Sequence, residues 1–122
     1  MTATTWAVES GITPERAAIV AALGTVPGLN PTPTVPGPVM PGSAWPVWVS
    51  ASWLNVCVTR SEWFVFVALP GAPATVDSGD STITAVADAL WPLGKLTRVE
   101  PWAWPVEPGQ QAVPVLRFTM EV

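Results

Sequence analysis

Proline occurs six times between residues 27 and 41, and this density decides what that part of the chain can become. Each proline fixes φ and removes a backbone donor, which excludes a helix and a central strand. We therefore predict an extended segment with polyproline II character over residues 25–43. Two interpretations stay open: a loop that lies on its own domain, or an arm that reaches a neighbouring subunit. The prolines are Pro27, Pro31, Pro33, Pro36, Pro38 and Pro41.

Two segments have the start and stop signals of helices. Residues 13–24 begin with Thr13 as an N-cap and Pro14 at the first helical position, and Gly24 follows the apolar run. A second helix is predicted from residue 76 or 77 to residue 91. Asp77 caps it, and apolar residues recur along it at helical spacing.

Alternating apolar residues predict the strands. Residues 62–69 are apolar on both faces, which indicates a central strand, and residues 113–122 alternate between apolar and polar positions. Shorter strands are predicted at residues 45–50 and 95–100, and residues 54–59 are either a short strand or part of a hairpin arm. Residues 101–112, which contain Trp102 and Trp104, are predicted to form a projecting loop. Cys57 is expected to be a small buried hydrophobe in a strand.

Together these segments predict one α+β domain over residues 1–122. Its sheet has four strands, mostly antiparallel or mixed, and both helices lie on one face. A strand–helix–strand connection in such a sheet is right-handed and parallel, and the last strand pairs antiparallel. The opposite face carries aromatic residues and is expected to have no cover of its own.

The residues that most enzymes need at neutral pH are scarce in this chain. It has no His, Cys57 is its single Cys, and Lys95 is its single Lys. General acid–base and nucleophilic catalysis depend on such groups, so we predict no enzyme activity and no cofactor. Asp77 and Asp80 are interpreted as helix-capping residues rather than metal ligands, because one short cluster supplies too few oxygen atoms for a cation.

The net charge of −4 argues against nucleic acid as the main ligand, since binding to phosphates needs clustered Lys and Arg. An acidic surface instead lets DNA pass without specific binding. The N-terminal residues lack the features of a signal peptide, and the longest apolar run, residues 63–69, is too short to cross a bilayer. We therefore expect synthesis in a cytoplasm and no membrane partner.

Tryptophan is the strongest positive signal. The chain has eight Trp, 49% hydrophobic residues and only 11% charged residues, which is more apolar area than so small a domain can bury. Because Trp is enriched at interface hot spots, we predict a protein interface. Core packing, or an aromatic platform for a sugar or proline-rich peptide, is the alternative. The candidate interface residues are Trp45, Trp48, Phe64, Phe66, Trp102 and Trp104.

Over nearly its whole length the chain resembles the tail terminator proteins of long-tailed actinobacterial phages. The resemblance lies in the order of its segments rather than in one motif. A short first helix precedes a Pro-rich stretch, then strands, a second helix and two closing strands. The segments that carry it are residues 26–29, 44–48, 63–70, 75–80, 89–92, 94–101 and 114–119.

This resemblance implies a structural virion protein at the head–tail junction. Members of the family form a hexameric ring that binds the end of the tail tube and stops its growth. The ring then meets a neck or stopper protein. The implied partners are therefore other copies of the chain, the tail-tube protein and the neck, with genomic DNA passing through the lumen. The alternatives are another neck or head-completion protein, or a small Trp-rich module that binds carbohydrate or peptide.

Overall fold

The computed structural model describes residues 12–55, 58–68, 76–104 and 113–122. Predictions about Cys57, the N-terminal residues 1–11 and the loop residues 105–112 lie outside the described residues. The described elements, in chain order, are α1 (Ile12–Leu23), β1 (Asn30–Pro31), β2 (Ser43–Asn55), β3 (Val58–Ala68), α2 (Val76–Leu90), β4 (Lys95–Trp104) and β5 (Val113–Glu121).

The strands form one mixed sheet in the order β1-β2-β3-β5-β4. The β2–β3, β3–β5 and β4–β5 pairs are antiparallel, whereas β1 pairs with β2 in parallel. Because β3 and β4 both run opposite to β5, the connection through α2 returns the chain parallel to β3 with β5 inserted between them. The α+β class with two helices and a mixed sheet is thus confirmed.

The predicted count of four strands was one too low. The fifth is β1, a two-residue strand inside the Pro-rich segment. Proline is tolerated there because β1 is the edge of the sheet, where the missing N–H of Pro31 costs no ladder bond. The composition of the segment concealed this short pairing.

Two strand boundaries also differ from those predicted. Residues 45–50 and 54–59 were treated as separate segments, but β2 continues to Asn55 through a bulge between Trp48 and Ser50, and residues 58–59 belong to β3. The bulge interrupts the two-residue alternation and makes one strand look like two. Residues 101–104 were expected in a loop but belong to β4, since Pro101 is compatible with an edge strand.

Both helices pack on the same face of the sheet. Ile19 and Leu23 of α1 and Val86 and Leu90 of α2 are fully buried. They join a core cluster with the strand residues that point towards the helices. The strand residues of that core are Ala44, Trp63, Val65, Val67, Leu116, Phe118 and Met120.

One hydrogen bond ties α1 to the sheet beneath it. Trp63 is fully buried, and its indole Nε1–H donates to Oε1 of Glu15 at 2.8 Å. Glu15 is itself buried, in the first turn of α1. The bond satisfies both polar groups and fixes the helix over β3, because a buried indole N–H or carboxylate without a partner is costly.

The Pro-rich segment makes its described contacts with its own domain. Val26 and Leu29 are buried in the core, and backbone N–H groups donate from Asn30 to Gly42 (2.8 Å) and from Gly42 to Ala68 (2.9 Å). Gly42 has a φ of +91°, and a Cβ there would lie 2.6 Å from the carbonyl oxygen of Gly28, so only glycine fits this turn. An arm that reaches a neighbour stays a prediction.

Candidate protein-interaction site

Five of the six predicted interface residues lie on the face of the sheet that neither helix covers, here called the helix-free face. Trp45 on β2 is opposite Phe66 on β3, and Phe64 lies two residues before Phe66. Trp102 and Trp104 on β4 are opposite Val115 and Val113 of β5. Because residues directly opposite in a sheet share a face, three strands bring distant rings together.

Trp45, Phe66 and Trp104 form an inner aromatic cluster. The Trp45 and Phe66 rings stack at 5.5 Å between centroids, and Trp104 meets each of them edge-on at 5.0 Å. Trp45 is fully buried and Phe66 nearly so, with Val39 of the Pro-rich segment packed against the cluster. These three rings therefore stabilise the fold, and the expectation of a bare aromatic face is wrong for this part of it.

The buried indole of Trp45 has an unused polar atom. Its Nε1 is inaccessible to solvent and has no hydrogen-bond partner among the described parts of the chain. A buried donor without an acceptor costs about 1–3 kcal/mol. Trp45 thus contrasts with Trp63 on the other face, whose equivalent atom is bonded to Glu15.

Beside this cluster, Arg117 of β5 lies between two rings. Its guanidinium carbon is 4.5 Å from the centroid of Phe64 and 3.9 Å from that of Trp102. Arg117 also donates from Nε and Nη2 to Oε1 of Glu100, with 3.1 Å between Nε and Oε1. Arg98 lies 3.8 Å from the same carboxylate. A charged band therefore borders the aromatic cluster and includes the half-exposed Trp102, which is 43% exposed.

The two arginines change the acidity of Glu100. The hydrogen bond from Arg117 is the main cause that holds the pKa of the Glu100 carboxyl below its ordinary value of 4.5, and the positive charges of Arg117 and Arg98 add to it. The Glu100 carboxylate therefore keeps its charge to a lower pH than an isolated carboxyl would. Such a pairing orients the guanidinium across the face rather than creating a reactive group.

Trp48 does not belong to this face. It lies opposite Trp63, so it points to the helix-covered side, where it is 37% exposed. The sequence analysis grouped Trp45 with Trp48, but two strand residues three positions apart project from opposite faces. Trp45 and Trp48 therefore cannot contribute to one contact surface on the sheet.

Two functional features were missed from the sequence. Glu15 lies within the predicted first helix, where nothing in the sequence indicates that it accepts the Trp63 hydrogen bond across 48 residues of chain. Arg117 is a polar position in the predicted alternation of residues 113–122, but nothing in its strand reveals the two rings beside it. The only signal in the sequence is the polar position of Arg117 in the alternating strand. Its neighbours Phe64 and Trp102 follow only from the register of three strands.

The described residues offer this face little chemistry beyond contact. Within them, no group of three or more His, Cys, Asp or Glu side chains could hold a metal ion. None of the described helices is long and apolar enough to span a bilayer. Asp77 and Asp80 lie in the first two turns of α2, and the prediction that they cap it stays a prediction. Comparison with protein-family models and with curated proteins gives no match for the chain.

Proposed function

We propose that this chain is a structural subunit of a phage tail, forming a ring that caps the tail tube, ends its polymerisation and joins it to the neck. The resemblance described above suggests this role. The composition of the helix-free face supports this role, because that face offers an apolar and charged contact surface. Genomic DNA would pass through the lumen of the ring, for which a net charge of −4 is suitable.

The observation that carries the proposal is the exposed Trp102 beside the Arg117–Glu100 pair. Aromatic residues and arginine are enriched in protein interfaces, where a rigid ring supplies area and a guanidinium supplies oriented donors. Here the two are already held together by a cation–π contact at 3.9 Å. A partner would meet a pre-organised surface, which lowers the entropy cost of binding.

The carbohydrate or peptide module is the weaker candidate. Such a platform needs several ring faces that are open to solvent. Of the five aromatic residues on the helix-free face, Trp45 and Phe66 are buried, Phe64 and Trp104 are half-buried, and Trp102 alone is exposed. One exposed ring with a charged neighbour fits a protein contact better than a sugar site.

The native mass of the purified chain, alone and with tail-tube protein, tests the proposal. We expect a discrete ring, alone or bound to tube ends, and tubes that stop elongating in electron micrographs. Trp102→Ala is expected to weaken ring formation or tube binding about tenfold or more, in the range typical of interface truncations. Val99→Ala is the matched control, because Val99 lies on the same strand but faces the other side.

Three other results would contradict the proposal. A ring that binds only neck protein would move the chain to another head-completion level. A monomer whose Trp fluorescence responds to oligosaccharide or proline-rich peptide would indicate the binding module. Equal behaviour of Trp102→Ala and Val99→Ala would remove the helix-free face from the interface.

A further inference from the structure

Basic side chains are concentrated on the helix-free face. The strand register places four of the chain's five basic residues there, with three of its nine acidic residues. The basic residues are Arg60, Lys95, Arg98 and Arg117, and the acidic ones are Glu62, Glu100 and Glu121. In the described part of the chain this face therefore has a surplus of positive charge, although the whole chain has a net charge of −4.

Most of the arginines on this face have a carboxylate of their own. Arg117 donates two hydrogen bonds to Oε1 of Glu100, and Arg60 lies 3.6 Å from the carboxylate of Glu121. Arg98 differs, because its Nη1 lies 3.8 Å from the oxygen that Arg117 already uses, which is too far for a hydrogen bond. The side chain of Arg98 is 66% exposed, so its donors are open to an acceptor from outside.

Arg98 lies in one row with the exposed Trp102. Residues 98, 100 and 102 alternate along β4, so all three project from the helix-free face. Four strand residues separate Arg98 from Trp102, which puts their Cα atoms about 13 Å apart. The row therefore has a cation at one end, an aromatic ring at the other, and the Glu100–Arg117 pair between them.

We propose that this row binds an acidic segment of the tail-tube protein, with a carboxylate on Arg98 and an apolar side chain on Trp102. The inference names the partner of the site in the proposed function and rests on that function. The spacing of the row requires a segment of about five residues if the segment is extended. β4 is an edge strand of the described sheet, so such a segment can approach the row from the side.

Charge complementarity favours a different protein over a second copy of this chain. Among the described carboxylates, those of Glu15, Glu100 and Glu121 already have donors within their own chain. Asp88 of α2 is exposed and could reach another copy. Neutralising Asp88 therefore separates binding to the tube from self-association.

Charge also favours a protein over nucleic acid as the occupant. Binding to phosphates needs several clustered basic residues. On this face the basic residues alternate with Glu62, Glu100 and Glu121, which would repel a phosphate backbone. A protein segment with one carboxylate and one apolar side chain avoids this repulsion, and a short DNA duplex is the comparison ligand.

Substitutions that grade the charge at position 98 test the inference. Sedimentation with purified tail-tube protein measures the affinity of each variant. Arg98→Lys keeps the charge and should bind within about threefold of the parent chain. Arg98→Gln should bind about tenfold more weakly, and Arg98→Glu about 100-fold, because it repels a carboxylate. Higher salt should reduce these differences, since it screens exposed charges.

Arg60→Glu is the matched control. Arg60 is also an exposed arginine near one glutamate on the same face, but it lies on β3 and outside the row. Its affinity for tail-tube protein should stay within about twofold of the parent value. Urea unfolding of Arg98→Glu should match that of the parent chain, because the side chain is exposed, and a match excludes misfolding as the cause of lost binding.

The outcomes separate the inference from the proposed function. Parental tube binding by Arg98→Glu, or equal losses for Arg98→Glu and Arg60→Glu, would overturn the inference and leave tube capping intact. Loss of self-association in both Arg98→Glu and Asp88→Asn would identify a second copy as the occupant instead. Binding of the DNA duplex that depends on Arg98 would assign the row to nucleic acid. A parent chain that does not bind tail-tube protein would contradict both the inference and the proposed function.

Discussion

Trp63 and Trp45 are both fully buried, on opposite faces of the same sheet, yet their polar atoms have different surroundings. The indole N–H of Trp63 donates to Glu15 under α1. The N–H of Trp45 has no partner among the described residues. The tryptophan of the helix-covered face thus has its polar atom satisfied within one chain, whereas the tryptophan of the helix-free face keeps an unused donor.

This difference separates two roles for tryptophan in one small domain. On the helix-covered face a carboxylate from another layer makes Trp63 part of the core. On the helix-free face the exposure of the rings rises from the buried Trp45 to the partly exposed Trp102. Only Trp102 is therefore available to a partner. A high count of tryptophans therefore predicts an interface without saying which residues form it.

The largest expected difference in stability between the two faces comes from removing the indole N–H of Trp63 or of Trp45. Trp63→Phe and Trp45→Phe lose similar ring volume, but only Trp63→Phe leaves the buried Glu15 carboxylate without its donor. Hydrogen bonds to charged groups contribute about 1.5–3 kcal/mol, so Trp63→Phe should be less stable than Trp45→Phe by about 2 kcal/mol. Urea unfolding followed by circular dichroism measures the difference, with Glu15→Gln as a control that keeps an acceptor. Equal losses would mean that the 2.8 Å contact contributes nothing to stability.

The two outer tryptophans of β4 give the next largest difference. Trp104 contacts both Trp45 and Phe66, and each aromatic pair adds about 0.5–1.5 kcal/mol beyond its buried area. Trp102 gives the fold mainly its contact with Arg117, worth about 0.5–1 kcal/mol at exposed sites. Trp104→Ala should therefore lower the free energy of unfolding by about 1–2 kcal/mol more than Trp102→Ala does. Urea unfolding measures this difference. The reverse order would place Trp102 in the core and weaken its assignment to the interface.

Sequence patterns predicted the parts of the fold that depend on local periodicity. The alternation of Leu116, Phe118 and Met120 with Arg117 placed the two faces of β5 correctly. The apolar stripe and the start signal at Asp77 predicted the bounds of α2 to within a residue. In these segments each residue faces the core or the solvent according to its own position in the repeat.

The remaining features depend on contacts between distant residues or on local breaks in the repeat. The bulge after Trp48 disguised one long strand as two, and Pro101 made the end of β4 look like a loop. The Glu15–Trp63 bond and the position of Arg117 between Phe64 and Trp102 require the strand register, which no single segment contains. Of the six predicted interface residues, only Trp102 combines a place on the helix-free face with substantial exposure.

The smallest expected effect is a pH dependence confined to the charged band. The pKa of Glu100 is lowered in the folded chain, chiefly by its hydrogen bond with Arg117. A lowered folded pKa means that the pair stabilises the fold above the ordinary carboxyl value of 4.5, and that this contribution is lost as the pH falls through the folded pKa. Because Glu100 is solvent-accessible, the loss should be small. The free energy of unfolding of Glu100→Gln should fall less between neutral and acid pH than that of the parent chain. Glu121→Gln removes a carboxylate from the exposed pair with Arg60 and is the control, which should keep the parental pH dependence. A profile unchanged by Glu100→Gln would show that the pair positions Arg117 without stabilising the fold.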